Sequence, residues 1–412
     1  MECPLGQGVP AVISGWKRKS LKLLAIGFVV FSVSAHSLPP PTQKSNSIRV
    51  RISRGVTSTW IHGKSIKILA GDQSYDLPSN AKGFQLERVK SSKGFWAWKV
   101  SGEPGGNFEK IKFQSTGLLL VGEELSLGNT PIPPVVHVRS TENPQTFDMV
   151  VNLDLENYLM GVLPKEMPLS WPLEALKAQA VAARSYALFQ KEKRKTKSFD
   201  VEATTLDQVY EYKSHVEDRW TRKLKGVLNQ TKGLVMSKGV HAIKAYFHAD
   251  CGGSTELASN VWGEKTNFNG QISSCNHGAS HPWRYEINKT SLGQRALEFM
   301  SLPLTYGKLV TLEVIEKSSS GRVHQLRLKY SEGNQLDLSS QTLREIVGFT
   351  KVKSTHFQIQ QNEELVSFEG EGRGHGVGMC QVGAKYLAKR GVTFKEILKK
   401  YYPNTDLKIL KL

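Results

Sequence analysis

Residues 156–187 read ENYLMGVLPKEMPLSWPLEALKAQAVAARSYA. Ser170 is a plausible N-cap, Pro172 is tolerated in a first helical turn, and helix formers continue through Lys195. Leu173, Leu176, Ala180, Ala183 and Ala187 recur at spacings of three and four, which predicts a long helix with one buried stripe. Because that stripe is mostly alanine, another element must pack very close to it. Gln179 borders the stripe, where a buried amide needs hydrogen-bond partners, so it holds either a neighbouring loop or a ligand. Upstream, VVNLDLENYLMGV (150–162) reads as a strand or short helix, and Leu163–Pro168 as a turn carrying Glu166.

Outward from this helix the pattern changes to strands. Ile48–Ile52, Ser65–Leu69, Phe95–Val100, Lys110–Phe113 and Leu118–Val121 are short β-favouring runs separated by Gly, Asn, Asp and Pro. They predict a small β-rich module over 48–130. Its Trp60, Trp96 and Trp98 could stack on sugars, although Trp96 and Trp98 at period two also fit one core face of a strand. TPIPP (130–134) punctuates the chain. Beyond it, 131–412 reads as one larger unit in which LVTLEVIE, VHQLRLKY and HFQIQ add strands. Helices follow the Gly-rich GEGRGHGVG and start near Thr393. The expected fold class is α+β, with the β module preceding a mixed domain.

The chain has 412 residues, a formal charge of +18 and four cysteines. It is long enough to bury a sizeable core without a disulfide or metal framework. The charge calls for an anionic partner: nucleic acid, an acidic membrane or a wall polymer. Lys17, Arg18, Lys19 and Lys22 precede an apolar run, Leu23–Val33, and then small residues, the order of a secretory signal. Such a run rises about 16 Å as a helix, short of a bilayer core of about 30 Å. Residues 1–37 are therefore expected to be a signal peptide, 38–47 a Pro-rich linker, and the mature chain secreted or periplasmic with no membrane span. Export argues against nucleic acid as the partner.

An oxidising compartment changes the reading of the cysteines. Cys251 and Cys275 would close a loop as a disulfide, leaving Cys380 as a thiol. Zinc held by His248, Cys251, Cys275, His277 and His281 is the alternative, but the spacing matches no common structural zinc pattern, and disulfide is preferred. Lys191, Lys193, Arg194, Lys195 and Lys197 read as a solvated helix end or as a polyanion contact.

Pro168, Trp171, Leu163 and Met167 would give Glu166 apolar company, raising its pKa toward that of a general acid. The alternative is a solvated turn carboxylate. The blocks Glu156–Pro168 and Glu174–Ala187 resemble the SpoIID/LytB family of sporulation and cell-wall proteins. So do Gln208-Val209-Tyr210, Ala245–His248 with Cys251–Glu256, Val261-Trp262-Gly263 and Gly372–Ala384, in that order. The match covers residues 135–412.

The resemblance implies a peptidoglycan lytic transglycosylase cutting between N-acetylmuramic acid and N-acetylglucosamine, with Glu166 as its one catalytic carboxylate. A water-using glycosidase normally needs a second carboxylate about 5 to 9.5 Å away, for which Glu256, Asp207 and Glu156 are the candidates. A lysozyme-like hydrolase on the same site, or a non-catalytic wall-binding enhancer of an amidase, are the alternatives.

As glycan contacts the resemblance implies Gln179, Arg184, Gln208, Tyr210, Ser254, Thr255, Glu256, His375 and Gln381. Arg184 would offer a forked cation or instead a helix salt bridge, and Tyr210 is equally a core candidate. His375 with Cys380 could also form the nucleophile pair of a peptidase. Family members that hold zinc do so just before Gln-x-Tyr, where this chain has Ala203-Thr204-Thr205-Leu206-Asp207. A site with no metal and no cofactor is expected, with peptidoglycan strands as substrate and a wall amidase as a partner.

Overall fold

The computed structural model describes residues 46–92, 94–102, 111–213, 218–263, 266–275 and 281–409. The expected signal peptide and nearly all of the linker lie outside these residues. The fold is mixed α+β.

Eleven strands form the main sheet: β1 (Ser47–Val56), β2 (Ser58–Ala70), β3 (Gln73–Asp76), β4 (Gly83–Lys90), β5 (Trp96–Ser101), β6 (Ile111–Phe113), β7 (Gly117–Leu127), β8 (Thr130–Pro131), β9 (Val135–Ser140), β10 (Phe147–Asp154) and β11 (Val201–Glu202). Their order is β11-β1-β10-β9-β7-β2-β4-β5-β6, with β3 on β2 and β8 on β7. Strands from both sides of residue 130 thus share one sheet, because β1 pairs antiparallel with β10 and parallel with β11. Side chains fasten the same joint. The Arg51 guanidinium holds Asp148 of β10 and Glu202 of β11, and Arg49 donates through Nε to Asp200 at 3.1 Å. Trp98 is fully buried, with its ring edge-on to Phe147 at 5.4 Å and its indole N–H bonded to Ser115 O at 2.9 Å. Trp60 and Trp96 are half-buried.

The 150–162 segment splits at Asp154. That side chain caps helix α1 (Leu155–Glu166), accepting from the Glu156 and Asn157 amides at 2.9 and 3.3 Å. Glu166 closes this helix, where the sequence predicts a turn, because Pro164 is tolerated inside α1 and the chain becomes extended only at Met167. Helix α2 (Leu173–Lys193) starts after Pro172, not Ser170. Pro172 is itself extended, at ψ 145°, so the helical backbone begins one residue later, while Trp171 N bonds Pro168 O in a turn that contains Ser170. Of the expected stripe Leu176, Ala180, Ala183 and Ala187 are fully buried, whereas Leu173 is exposed; burial is continuous from Ala178 to Gln190, all round the helix and not along one stripe, because neighbours pack on every side.

The rest wraps around α2. It comprises α3 (Arg219–Gln230), β12 (Leu234–Lys238), β13 (His241–Ala242), β14 (Phe247–His248) and α4 (Ala258–Trp262). An inserted unit follows: β15 (Pro282–Asn288), α5 (Lys289–Phe299), β16 (Leu309–Lys317), β17 (Val323–Tyr330), β18 (Gln335–Ser339), α6 (Ser340–Val347), β19 (Phe357–Gln361) and β20 (Leu365–Glu371). It has its own core around Leu292, Leu326, Leu343 and Phe368 and two three-stranded sheets, β15-β20-β19 and β16-β17-β18. The chain then returns as β21 (Met379–Cys380), α7 (Gln381–Lys389), α8 (Phe394–Tyr401) and β22 (Asp406–Ile409). β14 and β21 pair in parallel, Phe247 with Met379 and His248 with Cys380. Among the described residues no helix is long and apolar enough to cross a membrane.

Trp98→Ala should remove about 3–5 kcal/mol of stability, read as a lowered midpoint in urea unfolding.

Candidate active site

Glu166 is half-buried at the end of α1. Its Oε1 accepts the Val209 backbone N–H at 3.1 Å. Burial pushes the carboxyl up to about 7, opposed in part by that N–H, which favours the charged form. The strand-like segment that supplies Val209 lies flat against α1 because Gly161 leaves room for it. A Cβ there would fall 2.4 Å from the Tyr210 ring and 2.6 Å from Glu211 O. Tyr210 stacks on the buried Tyr158 at 5.6 Å, and Tyr158 Oη donates to Gln208 Oε1 at 3.0 Å. Gln208 is fully buried and donates onward to Ala183 O of α2 at 3.3 Å. Burial raises both tyrosine pKa values, so both rings stay neutral beside Glu166.

The three carboxylates considered as second catalytic groups are each engaged elsewhere. Glu156 forms a two-pronged pair with Arg184, Nε to Oε1 at 2.9 Å and Nη2 to Oε2 at 2.7 Å. Arg184 is fully buried and spends Nη1 on Leu234 O at 3.0 Å; the structure thus places it in a salt bridge that ties α2 to α1. Asp207 receives Arg194, Tyr186, Gln190 and the Glu202 amide. Glu256 is buried and receives Ser318, Ser320, Asn260 and the Leu257 amide.

A second group of residues is built from the Gly-rich segment. His375 Nδ1 accepts the Val377 amide at 3.0 Å, and burial drives its pKa down to about 3, so the ring is neutral. It lies against Trp262 at 5.0 Å, which in turn stacks on Tyr246 at 4.8 Å and 15°. Trp262 is 39% exposed, and Lys244 sits over Tyr246 at 4.9 Å. Interior contacts link the two groups of residues: Tyr246 meets Tyr186 edge-on at 6.5 Å, and Tyr186 donates to Asp207, next to Gln208. Gln381 Nε2 reaches Gln179 Oε1 at 3.3 Å, joining α7 to α2, with both side chains buried.

Ser254 is half-buried and Thr255 is buried with its hydroxyl on Gln271 O at 2.6 Å. The Glu256 amide bonds Gly376 O at 2.9 Å, clipping this loop to the His375 turn. Of the predicted residues, Glu166, Gln208 and Tyr210 stand together, and His375 stands beside Tyr246 and Trp262. Gln179, Arg184, Gln208, Thr255, Glu256 and Gln381 are held in internal bonds.

Sequence reasoning missed Val209, which acts through its backbone, and Arg322. Arg322 is 1% exposed and donates to Cys251 O from beneath Gly376, and neither residue has a local signature.

The expected Cys251–Cys275 disulfide is not formed; Cys251, Cys275 and Cys380 are all thiols. Cys380, brought in on β21, adds a third sulfur neighbour at the same point, and Cys251 interacts with both of the others. Burial pushes the Cys380 thiol well above its ordinary value, the reverse of what a nucleophile needs. His277 lies outside the described residues, and His281 Nδ1 is paired with Asp250 at 2.6 Å.

Comparison with known proteins follows the same outline. Residues 143–237 match the family model described as Stage II sporulation protein (SpoIID), and 254–378 match a domain of unknown function, DUF8618. An uncharacterized protein of Brachyspira hyodysenteriae is 34% identical over 64% of this chain and 68% of its own length. Stage II sporulation protein D of Bacillus amyloliquefaciens is 29% identical over 69% of this chain and 81% of its own. The amidase enhancer of Bacillus subtilis is 29% identical over 60% of this chain but 40% of its own. The chain belongs to the SpoIID family.

Gly161→Ala should force the Tyr210 segment off α1 and cost about 1–3 kcal/mol, seen as a lowered melting temperature. A carboxyl whose pKa is higher folded than unfolded makes the folded state bind the extra proton. Its contribution is therefore whole below about 4.5 and is lost as pH rises through about 7. Glu166→Gln should accordingly stabilise the protein at pH 8 by up to about 3 kcal/mol, with the gain gone at pH 4, measured by urea unfolding at both pH values.

Proposed function

We propose that this protein is an exported or wall-associated enzyme that cleaves the glycan strands of peptidoglycan, with Glu166 as the group that moves the proton. The observation that carries the reading is a desolvated carboxyl with a pKa of about 7, while Glu156, Asp207 and Glu256 are committed to other partners. A carboxyl poised at that value is half protonated near neutrality, so it can give a proton and take one back.

In the reaction, Glu166 protonates the glycosidic oxygen between N-acetylmuramic acid and N-acetylglucosamine as the C1–O bond breaks. The resulting carboxylate, steadied by the Val209 N–H, then accepts the proton of the muramyl 6-hydroxyl while that oxygen bonds to C1. The products are a 1,6-anhydro-muramyl end and a free 4-hydroxyl, and Glu166 is again protonated. No water is consumed, so no second carboxylate is required. This supports a lytic transglycosylase over a lysozyme-like hydrolase, which would need a base at about 5 to 9.5 Å.

Tyr210 flanks Glu166 on one side, with Gln208 buried behind it as a support. The exposed face of Trp262 beside His375 suits stacking on a pyranose. The excess of Lys and Arg over Asp and Glu beyond residue 37 draws the enzyme to an anionic wall. Similarity to an amidase enhancer favours a second reading, in which the chain binds glycan and stimulates a wall amidase without cutting.

Mass spectrometry of digested glycan separates these readings: anhydro-muramyl ends for the transglycosylase, reducing ends for a hydrolase, intact strands for an accessory protein. Glu166→Gln should lose cutting by at least about 100-fold and keep glycan binding; cutting at the wild-type rate would remove Glu166 from the mechanism. Because the first step needs the protonated acid, kcat should fall as pH rises through about 7, a limb absent from binding.

A further inference from the structure

Away from Glu166, three potential ligands converge at the root of the inserted unit, with the Cys275 thiol beside two of them. One ring nitrogen of His248 and the sulfurs of Cys251 and Cys380 all lie within 4.8 Å of one another, and all three residues are buried. The Cys275 thiol interacts with those of Cys251 and Cys380. Gly383 lies against Cys275 and Cys380: a Cβ there would fall 2.5 Å from Cys275 Sγ and 3.3 Å from Cys380 Cβ.

We infer that His248, Cys251, Cys275 and Cys380 form a structural zinc site, distinct from the catalytic centre. Three sulfurs and one imidazole are a common closed tetrahedral set for this ion. An ion at the centre of three atoms spaced as here stands within about 2.8 Å of each, against about 2.0–2.3 Å for bonds to nitrogen and sulfur. Side-chain adjustments of about 0.5–0.8 Å close the difference.

The surroundings are those of a ligand set. His248 Nδ1 lies 3.0 Å from Val377 O; donating there fixes the tautomer and leaves Nε2 to bind, the usual outer-shell arrangement. Cys380 Sγ accepts the Cys251 and Gly383 amides, both at 3.3 Å, and Tyr401 Oη lies 3.0 Å from Cys275 Sγ. Such donors stabilise thiolates. A soft, sulfur-rich set disfavours magnesium and calcium. Its effect would be to pin β14, the Cys251–Thr255 loop and the start of α7 together, on both sides of the insertion.

The test uses the full chain, stripped with a chelator under reducing conditions and titrated with Co²⁺, then Zn²⁺. The expected result is one Co²⁺ per chain with a near-ultraviolet sulfur-to-cobalt charge-transfer band, displaced by one Zn²⁺, and a melting temperature raised by Zn²⁺. Cys380→Ser should weaken Co²⁺ binding by at least about 100-fold. His248→Cys should retain binding with the spectrum of an all-sulfur site, which guards against mistaking misfolding for ligand loss. Absence of the charge-transfer band in the folded wild type, or alkylation showing a Cys251–Cys275 cystine in protein taken from its own compartment, would overturn the assignment.

Discussion

The contact between Gly161 and the Tyr210 ring governs the setting of Glu166. A helix face without a side chain lets an extended segment lie directly on α1. That closeness places the Val209 N–H on the Glu166 carboxyl and stacks Tyr210 on Tyr158. It also dries the carboxyl, and desolvation is the largest cause of its raised pKa. Position and acidity therefore have one origin. The bonds from Tyr158 to Gln208 and from Gln208 to Ala183 hold the segment in register with α2, so the acid rests on two helices and not on a loop alone.

Much of this was legible in the sequence where the determinants are local. The alanine stripe announced a closely packed helix, and α2 buries its alanines as expected. The apolar neighbours of Glu166 announced its shifted acidity, and the β runs at 48–52, 65–69 and 118–121 fall within strands, as do 96–100 and 111–113 of the other two. What stayed hidden depends on partners far along the chain. Arg184 meets Glu156 across the α1–α2 turn, and a cation in a helix does not disclose its partner. β1 pairs with β10 about a hundred residues later, so the continuity of the sheet through 130 had no local sign. Likewise, Cys380 reaches Cys251 only because β21 returns beside β14.

The helix starts illustrate how close calculations of local preference come. Ser170 is a good capping residue by type, yet Pro172 reaches the helix boundary with an extended backbone and excludes Ser170 from the cap. Asp154 succeeds because its carboxylate faces two free helical amides. The difference lies in backbone geometry two residues away, not in the identity of the cap.

The inserted unit enters through β15 and leaves through β20, and these strands are antiparallel neighbours, Pro282 opposite Glu371. Its two attachment points are consequently side by side, and its interior is a separate apolar cluster. Lengthening, shortening or exchanging what lies between them leaves the spacing of the flanking loops unchanged. The arrangement works like a bay on a chassis: the outboard piece is bolted on at one place.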